Sequence, residues 1–264
     1  EKFDPEVLRE YDIRGVVDKN ITENTAYTIG RVFGYVVYNK LKSNIISLGY
    51  DGRLTSPKLY KALSSGLKDS GAIVKSIGIC PTPMLYFADY YLKTDAALMI
   101  TGSHNPSEYN GFKMVVNKHS FFSENIKNFQ EIVQNIKLEK KQGSIEKINI
   151  KDAYIERVLK NISINKKLKI SWDIGNGAMG VIINELVSKL NNTENILLNK
   201  DVDGNFPNHH PDPTVPKNME QLIESVKSNN CDIGLAFDGD GDRLGVVDNS
   251  GNIIWADQYM LVLC

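Results

Sequence analysis

Short apolar runs alternate with helical segments along this 264-residue chain, and this alternation restricts its fold more than any other feature. Ile45–Tyr50 is an apolar run typical of a buried strand, whereas residues 24–41 carry apolar side chains at helical spacing. Ser56 and Pro57 then open a second helix, with proline in its first turn. Strands that alternate with helices predict α/β domains with mainly parallel sheets.

The alternation occurs in two series. In the first, further strands are predicted at 72–79, 96–101 and 111–116, with a helix at 121–136. In the second, the pattern predicts helical segments at 155–159, 178–190 and 217–229, strands at 168–174, 196–198 and 232–237, and a hairpin of 244–247 with 252–255.

A stretch rich in lysine, glutamate and glutamine, residues 137–150, separates the two series. We therefore expect two consecutive α/β domains with mainly parallel, mixed sheets, covering residues 1–145 and 146–256. Residues 257–264 read as the first turns of another helix without a stop signal. They are expected to begin a third, interrupted domain.

Composition restricts the classes of function. A net charge of −1 gives the chain no general attraction to nucleic acid or to anionic membranes. The sequence contains no apolar run of about 18 residues, so no membrane span is predicted. The three cysteines, Cys80, Cys231 and Cys264, follow no disulfide pattern and are typical of a reducing compartment. We expect a cytoplasmic protein with no nucleic-acid or membrane partner; the oligomeric state is not indicated.

Residues 238–243 read Asp-Gly-Asp-Gly-Asp-Arg, directly after an apolar run. In an extended loop, this alternation turns the carboxylates of Asp238, Asp240 and Asp242 toward one point, and the glycines let the backbone fold around it. Converging carboxylates repel each other unless a hard cation, Mg²⁺ or Ca²⁺, lies among them. An EF-hand is excluded because Arg243 and Asn249 stand where that loop needs Gly and Glu. The loop therefore predicts a Mg²⁺ site, with a solvated turn as the alternative.

A second polar motif, Thr-Gly-Ser-His-Asn-Pro, covers residues 101–106, and Asn-Gly-Phe-Lys follows at 110–113. It comes after a predicted strand, at the edge where open α/β sheets bind ligands. A tight turn here would hold Ser103 outward, and an exposed serine beside His104 has the arrangement of a nucleophile with a base. Lys113 would return along the next strand to the same place. The alternative is an ordinary polar turn.

Two arginines accompany these motifs. Tyr-Asp-Ile-Arg-Gly at 11–15 places Arg14 ahead of the first helix, where a guanidinium can clamp a phosphate or carboxylate through two hydrogen bonds. A surface salt bridge is the simpler interpretation of Arg14. The segment from Asp51 to Arg53 reads as a turn with a structural ion pair.

Residues 175–180, Gly-Asn-Gly-Ala-Met-Gly, match the dinucleotide fingerprint G-x-G-x-x-G between a strand and a helix. Glu194 and Asp201 lie near the distance expected for a ribose-binding acid. The simpler interpretation is that the glycines let a strand turn tightly into a helix. A dinucleotide-binding oxidoreductase is therefore kept as an alternative function.

The three motifs Tyr-Asp-Ile-Arg-Gly, Thr-Gly-Ser-His-Asn-Pro with Asn-Gly-Phe-Lys, and Asp-Gly-Asp-Gly-Asp-Arg occur together in this order. The combination resembles the α-D-phosphohexomutases, and within them the bacterial phosphomannomutase/phosphoglucomutase group, along the whole chain. The resemblance implies the first half of a four-domain architecture around a central cleft. The Gly-Glu-Met-Ser-Gly-His sugar-recognition motif of the third domain does not occur in this sequence.

The same resemblance implies a mechanism. Ser103 would carry a phosphoryl group, give it to a hexose 1- or 6-phosphate, and recover the other phosphate from the hexose 1,6-bisphosphate that forms. Asp238, Asp240 and Asp242, together with an oxygen of phosphorylated Ser103, would hold Mg²⁺.

The remaining motif residues would contact the sugar phosphate. By the resemblance, Arg14, Arg243 and Lys113 would steady the transferring group. Lys113 or His104 would handle the hydroxyl proton, and Tyr11 would line the cleft beside Arg14.

The expected function is a phosphosugar mutase that acts on mannose and/or glucose phosphates. The glucosamine branch of the family is a further alternative, and the preferred sugar is not indicated because the sugar-reading motif lies outside this sequence. The chain alone is expected to lack turnover, which keeps open a non-catalytic module that binds Mg²⁺ and phosphate.

Overall fold

The computed structural model describes residues 3–263, which form two compact units. The first ends at Ile150 and the second begins at Lys151. Both alternate helices with strands, which confirms two consecutive α/β domains with mixed sheets. The domain boundary expected at residue 145 falls inside a strand, Ser144–Lys147, that belongs to the first sheet.

The first unit contains seven strands and four α-helices. Its strands are β1 (Ile13–Val16), β2 (Ile45–Tyr50), β3 (Ile73–Ile79), β4 (Ala96–Ile100), β5 (Tyr109–Val116), β6 (His119–Ser120) and β7 (Ser144–Lys147). Its helices are α1 (Glu23–Leu41), α2 (Ser56–Asp69), α3 (Thr82–Tyr91) and α4 (Glu124–Asn135), preceded by a 3₁₀ turn at Pro5–Val7.

The strand order β1-β5-β4-β2-β3-β7 places the carboxyl ends of β2 and β4 side by side. β2 pairs in parallel with β3 and β4, and β3 in parallel with β7. β5 runs antiparallel to both β4 and β1. The connections that follow β2 and β4 therefore leave the sheet at the same edge, which is where the serine motif lies.

β7 was not predicted from the sequence. All four of its residues are exposed, because it forms an edge of the sheet and buries neither face. Without a buried face there is no apolar alternation to detect, and residues 137–150 consequently resembled a linker.

The second unit contains five strands and four α-helices. Its strands are β8 (Leu168–Asp173), β9 (Thr193–Leu198), β10 (Ile233–Phe237), β11 (Leu244–Asp248) and β12 (Ile253–Ile254), in the order β12-β11-β10-β8-β9. Its helices are α5 (Lys151–Leu159), α6 (Ile183–Ser188), α7 (Glu220–Ser228) and α8 (Ala256–Leu263).

Three strands of this sheet, β9, β8 and β10, pair in parallel. The predicted hairpin adds β11 antiparallel to β10, and β12 antiparallel to β11. The helix predicted at 178–190 is instead a 3₁₀ turn, Ala178–Val181, followed by the short α6. Consecutive β-branched residues at 181–183 lower helix propensity at the break.

Each unit has its own core. The first is built around Phe33, Leu48 and Phe112, and the second includes Leu222 and Val247, all without exposed surface. Cys80 and Cys231 are buried cysteines, whereas Cys264 lies outside the described residues. Over residues 3–263, none of the helices combines the length and the apolar character needed to traverse a bilayer.

Candidate functional site

The serine motif forms the connection between β4 and β5 in the first unit. Ser103 has a φ of 50°, a left-handed conformation that residues other than glycine adopt only rarely. Its N–H donates to Oγ1 of Thr101 at 2.7 Å, and its Oγ lies 3.3 Å from Nδ1 of His104. A non-glycine residue held in this conformation within a bonded loop is typical of functional sites.

Ser103 is buried, with 2% of its surface exposed, although the sequence predicted an outward-facing side chain. That prediction was wrong because hydrogen bonds draw the backbone inward at this point. The Thr101 N–H donates to the carbonyl of Gly111 at 3.0 Å, and the Ser103 carbonyl accepts from Nη2 of Arg53 at 2.8 Å. His104 next to it remains half-buried.

Arg53 lies under the serine loop, with its side chain only 1% exposed. Its Nη1 donates to the carbonyl oxygens of Pro106 at 2.6 Å and Tyr109 at 3.1 Å. Its Nη2 donates to those of Ser103 at 2.8 Å and Asn105 at 2.5 Å. One guanidinium therefore binds four carbonyls of a single loop, which its fork of five N–H donors makes possible.

Asp51 is the counter-charge of this guanidinium, at 3.3 Å from Arg53 Nε to its Oδ2. The same Oδ2 accepts the Gly102 N–H at 3.1 Å, and Oδ1 accepts the Ser56 hydroxyl at 2.6 Å. Burial raises the pKa of the Asp51 carboxyl, while Arg53 and the hydrogen bonds oppose that rise.

The structure confirms the predicted ion pair of Asp51 and Arg53. The sequence did not indicate that this pair also binds the backbone of the serine loop. The available signal was positional: the pair follows β2 directly, and the serine loop follows β4, the neighbouring parallel strand.

Arg14 joins the first motif to the same loop. It lies on β1 and is largely buried; its Nη1 donates to Oδ1 of Asn105 at 2.9 Å, and its Nη2 forms an ion pair with Asp12 at 2.5 Å. The salt bridge considered in the sequence analysis is therefore present, but it is largely buried and reaches the serine loop.

Two further residues of these motifs, Tyr11 and Lys113, belong to the same unit. Tyr11 is 78% exposed, with its ring 6.4 Å from that of Phe122. Lys113 is half-buried on β5 opposite Met99. It lies two residues, about 7 Å, along the strand from Gly111 at the base of the loop and on the same face of the sheet. Their roles toward a substrate remain predictions.

The aspartate motif follows β10 in the second unit. One carboxylate oxygen from each of Asp238, Asp240 and Asp242 lies within 4.8 Å of the other two. Asp238 and Asp240 have no exposed surface, and Asp242 is exposed. The loop is shaped by Oδ1 of Asp238, which accepts the N–H groups of Asp242 and Arg243, each at 3.1 Å. Arg243 itself is exposed.

The glycine motif at 175–180 packs against the backbone of this aspartate loop. The Ala178 N–H donates to the Gly239 carbonyl at 2.9 Å. A Cβ at Gly177 would lie 2.8 Å from that same carbonyl oxygen and 3.1 Å from the carbonyl oxygen of Asp238. Glycine is required at position 177 because the backbone of the aspartate loop passes directly against it.

The N–H groups of the glycine motif are bonded within the protein. The Gly175 N–H donates to the Asp173 carboxylate, and the Asn176 N–H donates to the Asn199 carbonyl. The Gly177 N–H donates to the Ile174 carbonyl, and the Gly180 N–H donates to the Gly177 carbonyl. A dinucleotide pyrophosphate needs such groups directed at its oxygens. The simpler interpretation, a tight turn from strand to helix, therefore accounts for the pattern.

Asp173, which the sequence analysis did not single out, anchors this turn. It ends β8 and is buried; its Oδ1 accepts from Gly175 N at 3.0 Å and Asn199 Nδ2 at 2.9 Å, and its Oδ2 lies 2.8 Å from Nε2 of His209. Burial lowers the pKa of His209, but the hydrogen bond and charge of Asp173 outweigh this and leave it raised.

Comparison with known proteins identifies both units. A family model described as phosphoglucomutase/phosphomannomutase, alpha/beta/alpha domain I, matches residues 5–142, and the model for alpha/beta/alpha domain II of the same family matches residues 152–251. The two matched regions contain the serine and aspartate motifs, respectively.

Individual relatives agree with these matches. A phosphomannomutase/phosphoglucomutase of Pseudomonas syringae pv. tomato is 45% identical over 256 residues, covering 97% of this chain and 55% of that protein. A phosphoglucomutase of Neisseria gonorrhoeae is 42% identical over 259 residues, covering 97% and 56%. The crystal structure of a phosphoglucomutase/phosphomannomutase family protein from Burkholderia thailandensis aligns with a TM-score of 0.93 at 38% identity, covering 99% of this chain and 58% of that one.

The chain thus spans a little over half the length of the curated relatives it matches. The domain I match alone extends over more than half of the chain, and it contains the serine loop that Arg53 and Arg14 bind. The chain therefore belongs to the phosphoglucomutase/phosphomannomutase family.

Proposed function

We propose that this chain provides the phosphoryl-carrying part of a mutase that interconverts the 1- and 6-phosphates of mannose and/or glucose. The main observation behind the proposal is the backbone conformation of Ser103 and its contacts, in a chain that belongs to this family. Ser103 is in a left-handed conformation, hydrogen-bonded to His104, in a loop held by a buried arginine.

The proposed reaction has two transfers through Ser103. In the first, the Oγ–P bond of phosphorylated Ser103 breaks as a P–O bond forms to the free hydroxyl of a hexose monophosphate, giving the hexose 1,6-bisphosphate. After the bisphosphate has reoriented, its other phosphoryl group passes to Ser103 Oγ, and the isomeric monophosphate leaves. The hydroxyl proton moves in the opposite direction in each transfer.

His104 and Lys113 are the proposed carriers of that proton. Nδ1 of His104 lies 3.3 Å from Ser103 Oγ, which is close enough to accept the serine proton after a small adjustment when the serine takes a phosphoryl group. Lys113 extends from β5 on the same face as the base of the loop and is proposed to serve the sugar hydroxyl. Tyr11 is proposed to line the sugar site beside Arg14.

The aspartate motif has a donor set that fits Mg²⁺. Three carboxylate oxygens within 4.8 Å of one another need only a modest contraction to occupy an octahedron whose metal–oxygen distances are about 2.1 Å. Asp238, Asp240 and Asp242 would hold the ion. When bound there, Mg²⁺ would neutralise charge on the transferring group.

Charge balance agrees with this set of residues. Phosphorylated Ser103 carries about two negative charges, and the aspartates carry three. Mg²⁺ together with Arg14, Lys113 and Arg243 supplies five positive charges. Phosphoryl transfer depends mainly on positioning and on stabilising the charge of the transferring group, and the proposed cations would serve the second requirement.

A coupled assay tests the proposal. Mannose 1-phosphate or glucose 1-phosphate is supplied with Mg²⁺ and a trace of hexose 1,6-bisphosphate, and formation of the 6-phosphate is followed. Intact-mass analysis of the same sample measures phosphoryl incorporation. Ser103→Ala is expected to abolish each signal that the wild type gives, whereas Ser107→Ala, which changes an exposed serine of the same loop, is expected to preserve it. Incorporation that survives Ser103→Ala would refute the proposal, and conversion of glucosamine phosphates alone would reassign the branch of the family.

A second candidate is a module that binds Mg²⁺ and phosphate without turnover. It is favoured by the match to domains I and II of the family, which together span a little over half of the relatives. Mg²⁺ binding and Ser103 phosphorylation without formation of the 6-phosphate would support this candidate for the chain alone.

A further inference from the structure

The connection between β2 and α2 contacts the serine loop through a network of buried polar groups. Arg53 binds the carbonyls of residues 103, 105, 106 and 109, and Asp51 binds the Gly102 N–H. At the far end of the loop, Nδ2 of Asn110 donates to Oγ of Ser56 at 2.9 Å, and the same Ser56 hydroxyl donates to Asp51. The loop is therefore held at its start, middle and end by one short segment.

These bonds determine which way the peptide groups of the loop face. In a trans peptide the C=O and the following N–H point in opposite directions, and no cis peptide occurs among the described residues. Because the carbonyls of Ser103 and Pro106 point at Arg53, the N–H groups of His104 and Ser107 point away from it. Carbonyl dipoles that would repel an anion are thus turned inward, and N–H dipoles that attract one are turned outward.

Gly102 fits the same arrangement. A Cβ at this position would lie 2.4 Å from both Cζ and Nε of Arg53 and 2.8 Å from the Tyr109 carbonyl oxygen. The guanidinium can lie flat against the loop only because residue 102 has no side chain. The glycine before the serine is therefore tied to an arginine some fifty positions earlier in the chain.

We propose that Arg53 is a positioning residue for phosphoryl transfer. By donating hydrogen bonds to four carbonyls of the serine loop, Arg53 holds Ser103 in its left-handed conformation. The same bonds direct the loop N–H groups to the side where a phosphoryl group is bound. This inference rests on the proposed function of Ser103. Arg53 itself does not touch the substrate, so its replacement affects the rate of transfer rather than the affinity for the sugar phosphate.

Arg53→Lys separates this role from the charge of the residue. Lysine keeps the positive charge beside Asp51, but its single nitrogen cannot present the forked donors that reach four carbonyls. The matched control is Arg31→Lys in the same unit. Arg31 is also buried and donates to the Leu138 carbonyl at 2.6 Å and the Tyr27 hydroxyl at 3.3 Å, but it binds no part of the serine loop.

The experiment follows phosphorylation of Ser103 by hexose 1,6-bisphosphate, with intact-mass analysis over time at several donor concentrations. In this half-reaction the P–O bond to the sugar breaks, the Oγ–P bond forms, and the serine proton ends on the sugar hydroxyl. Arg53→Lys is expected to lower the maximal rate about 100-fold, the effect of a displacement of about 1 Å at a reacting group. The half-saturating donor concentration stays unchanged, and Arg31→Lys leaves both quantities at the wild-type values.

Amide hydrogen exchange gives a second readout that does not depend on turnover. Exchange at 103–109 is expected to accelerate in Arg53→Lys and to stay at the wild-type rate in Arg31→Lys. If the lysine variant does not fold, Gly102→Ala replaces it, because the added Cβ displaces the guanidinium while Arg53 is retained. The same loss of maximal rate is then expected.

The outcomes distinguish the two proposals. A wild-type chain that takes no phosphoryl group on Ser103 overturns the proposed function and this inference with it. A phosphorylated wild type with an equally fast Arg53→Lys overturns only the role of Arg53. Equal losses in Arg53→Lys and Arg31→Lys would indicate general destabilisation and would also overturn it. A selective loss of maximal rate in Arg53→Lys, with faster exchange confined to the serine loop, supports it.

Discussion

Nε2 of His209 lies 2.8 Å from Oδ2 of Asp173, and Nδ1 of the same ring lies 2.9 Å from the carbonyl oxygen of His210. Both ring nitrogens therefore face acceptors, and only the protonated imidazole can donate from both. The raised pKa of His209 agrees with this geometry. When protonated, His209 donates to the Asp173 carboxylate, which in turn anchors the turn packed against the aspartate loop.

The stability of the second unit should consequently depend on pH through His209. Because the folded pKa is raised above the ordinary value of 6.5, the stabilisation is fully present below about pH 6.5 and is lost as pH rises through the folded pKa. Urea unfolding of the wild type should show this decline, and His209→Gln should show a smaller one. The variant is expected to lose about 1.5–3 kcal/mol at low pH, the contribution of a charge-assisted hydrogen bond. A pH dependence that is identical in both proteins would contradict the assignment.

Asp240→Asn should have opposite effects on metal binding and on stability without metal. Mg²⁺ affinity, measured by titration calorimetry, is expected to fall at least about 100-fold, because loss of an outer partner of a metal ligand alone costs 10- to 100-fold. In the presence of a chelator, the free energy of unfolding of the variant should be about 1 kcal/mol higher than that of the wild type. The substitution removes repulsion between carboxylates whose oxygens lie within 4.8 Å of one another. The control is Asp248→Asn, which changes a half-buried acid at the end of β11 and should leave Mg²⁺ affinity unchanged. A chelator-treated Asp240→Asn less stable than the wild type would contradict this account of the loop.

Gly177→Ala should disturb the aspartate loop without any backbone strain of its own. The φ of Gly177 is −83°, which alanine adopts readily, but the new Cβ would meet the Gly239 and Asp238 carbonyls. We expect a loss of about 1–3 kcal/mol in the free energy of unfolding, typical of overpacking, together with weaker Mg²⁺ binding. Gly180→Ala is the matched control, because its Cβ would meet the Lys200 carbonyl at 2.4 Å, away from the aspartates. It should lower stability and leave Mg²⁺ affinity unchanged; an equal loss of affinity would argue against a specific contact.

Arg14→Lys should slow phosphorylation of Ser103. Lysine cannot bridge Asp12 and Asn105 as the guanidinium does. The rate is expected to fall about 10- to 100-fold, which corresponds to the 1.5–3 kcal/mol of one hydrogen bond to a charged group. Arg9→Lys, at an exposed position in the same segment, should react at the wild-type rate. Equal rates for Arg14→Lys and the wild type would remove Arg14 from the proposed machinery.

The parts of this site that could be predicted from sequence are local. The alternating carboxylates of the aspartate loop lie within six consecutive residues, so their convergence follows from the geometry of one loop. Most strands and helices with a buried face were recovered because burial imposes a period that the sequence displays. The strand β1 is buried but only four residues long, and it was not predicted. The edge strand β7 has no buried face and was missed for that reason.

The parts that could not be predicted depend on contacts between distant segments. The burial of Ser103 follows from carbonyls bound to Arg53, and nothing near Ser103 in the sequence indicates that partner. Likewise, the sequence around Gly177 shows only the pattern of a dinucleotide fingerprint. The carbonyl that requires a glycine there belongs to Gly239, in a loop some sixty residues later in the chain. In both places the sequence shows a glycine, Gly102 or Gly177, but it does not show the distant group that requires the glycine.

The pairing of β1 with β5 at the edge of the first sheet has a consequence for handling the protein. Residues 13–16 cover the main-chain N–H and C=O groups of 109–112 on that side and also carry Arg14. Proteolytic clipping after Val16 would leave β5 as a new open edge, which is prone to pair with another chain. The same cut would remove a guanidinium bound to the serine loop. Aggregation and loss of phosphoryl transfer would then arise together, so soluble protein recovered after partial digestion should be enriched in chains with an intact amino-terminal segment.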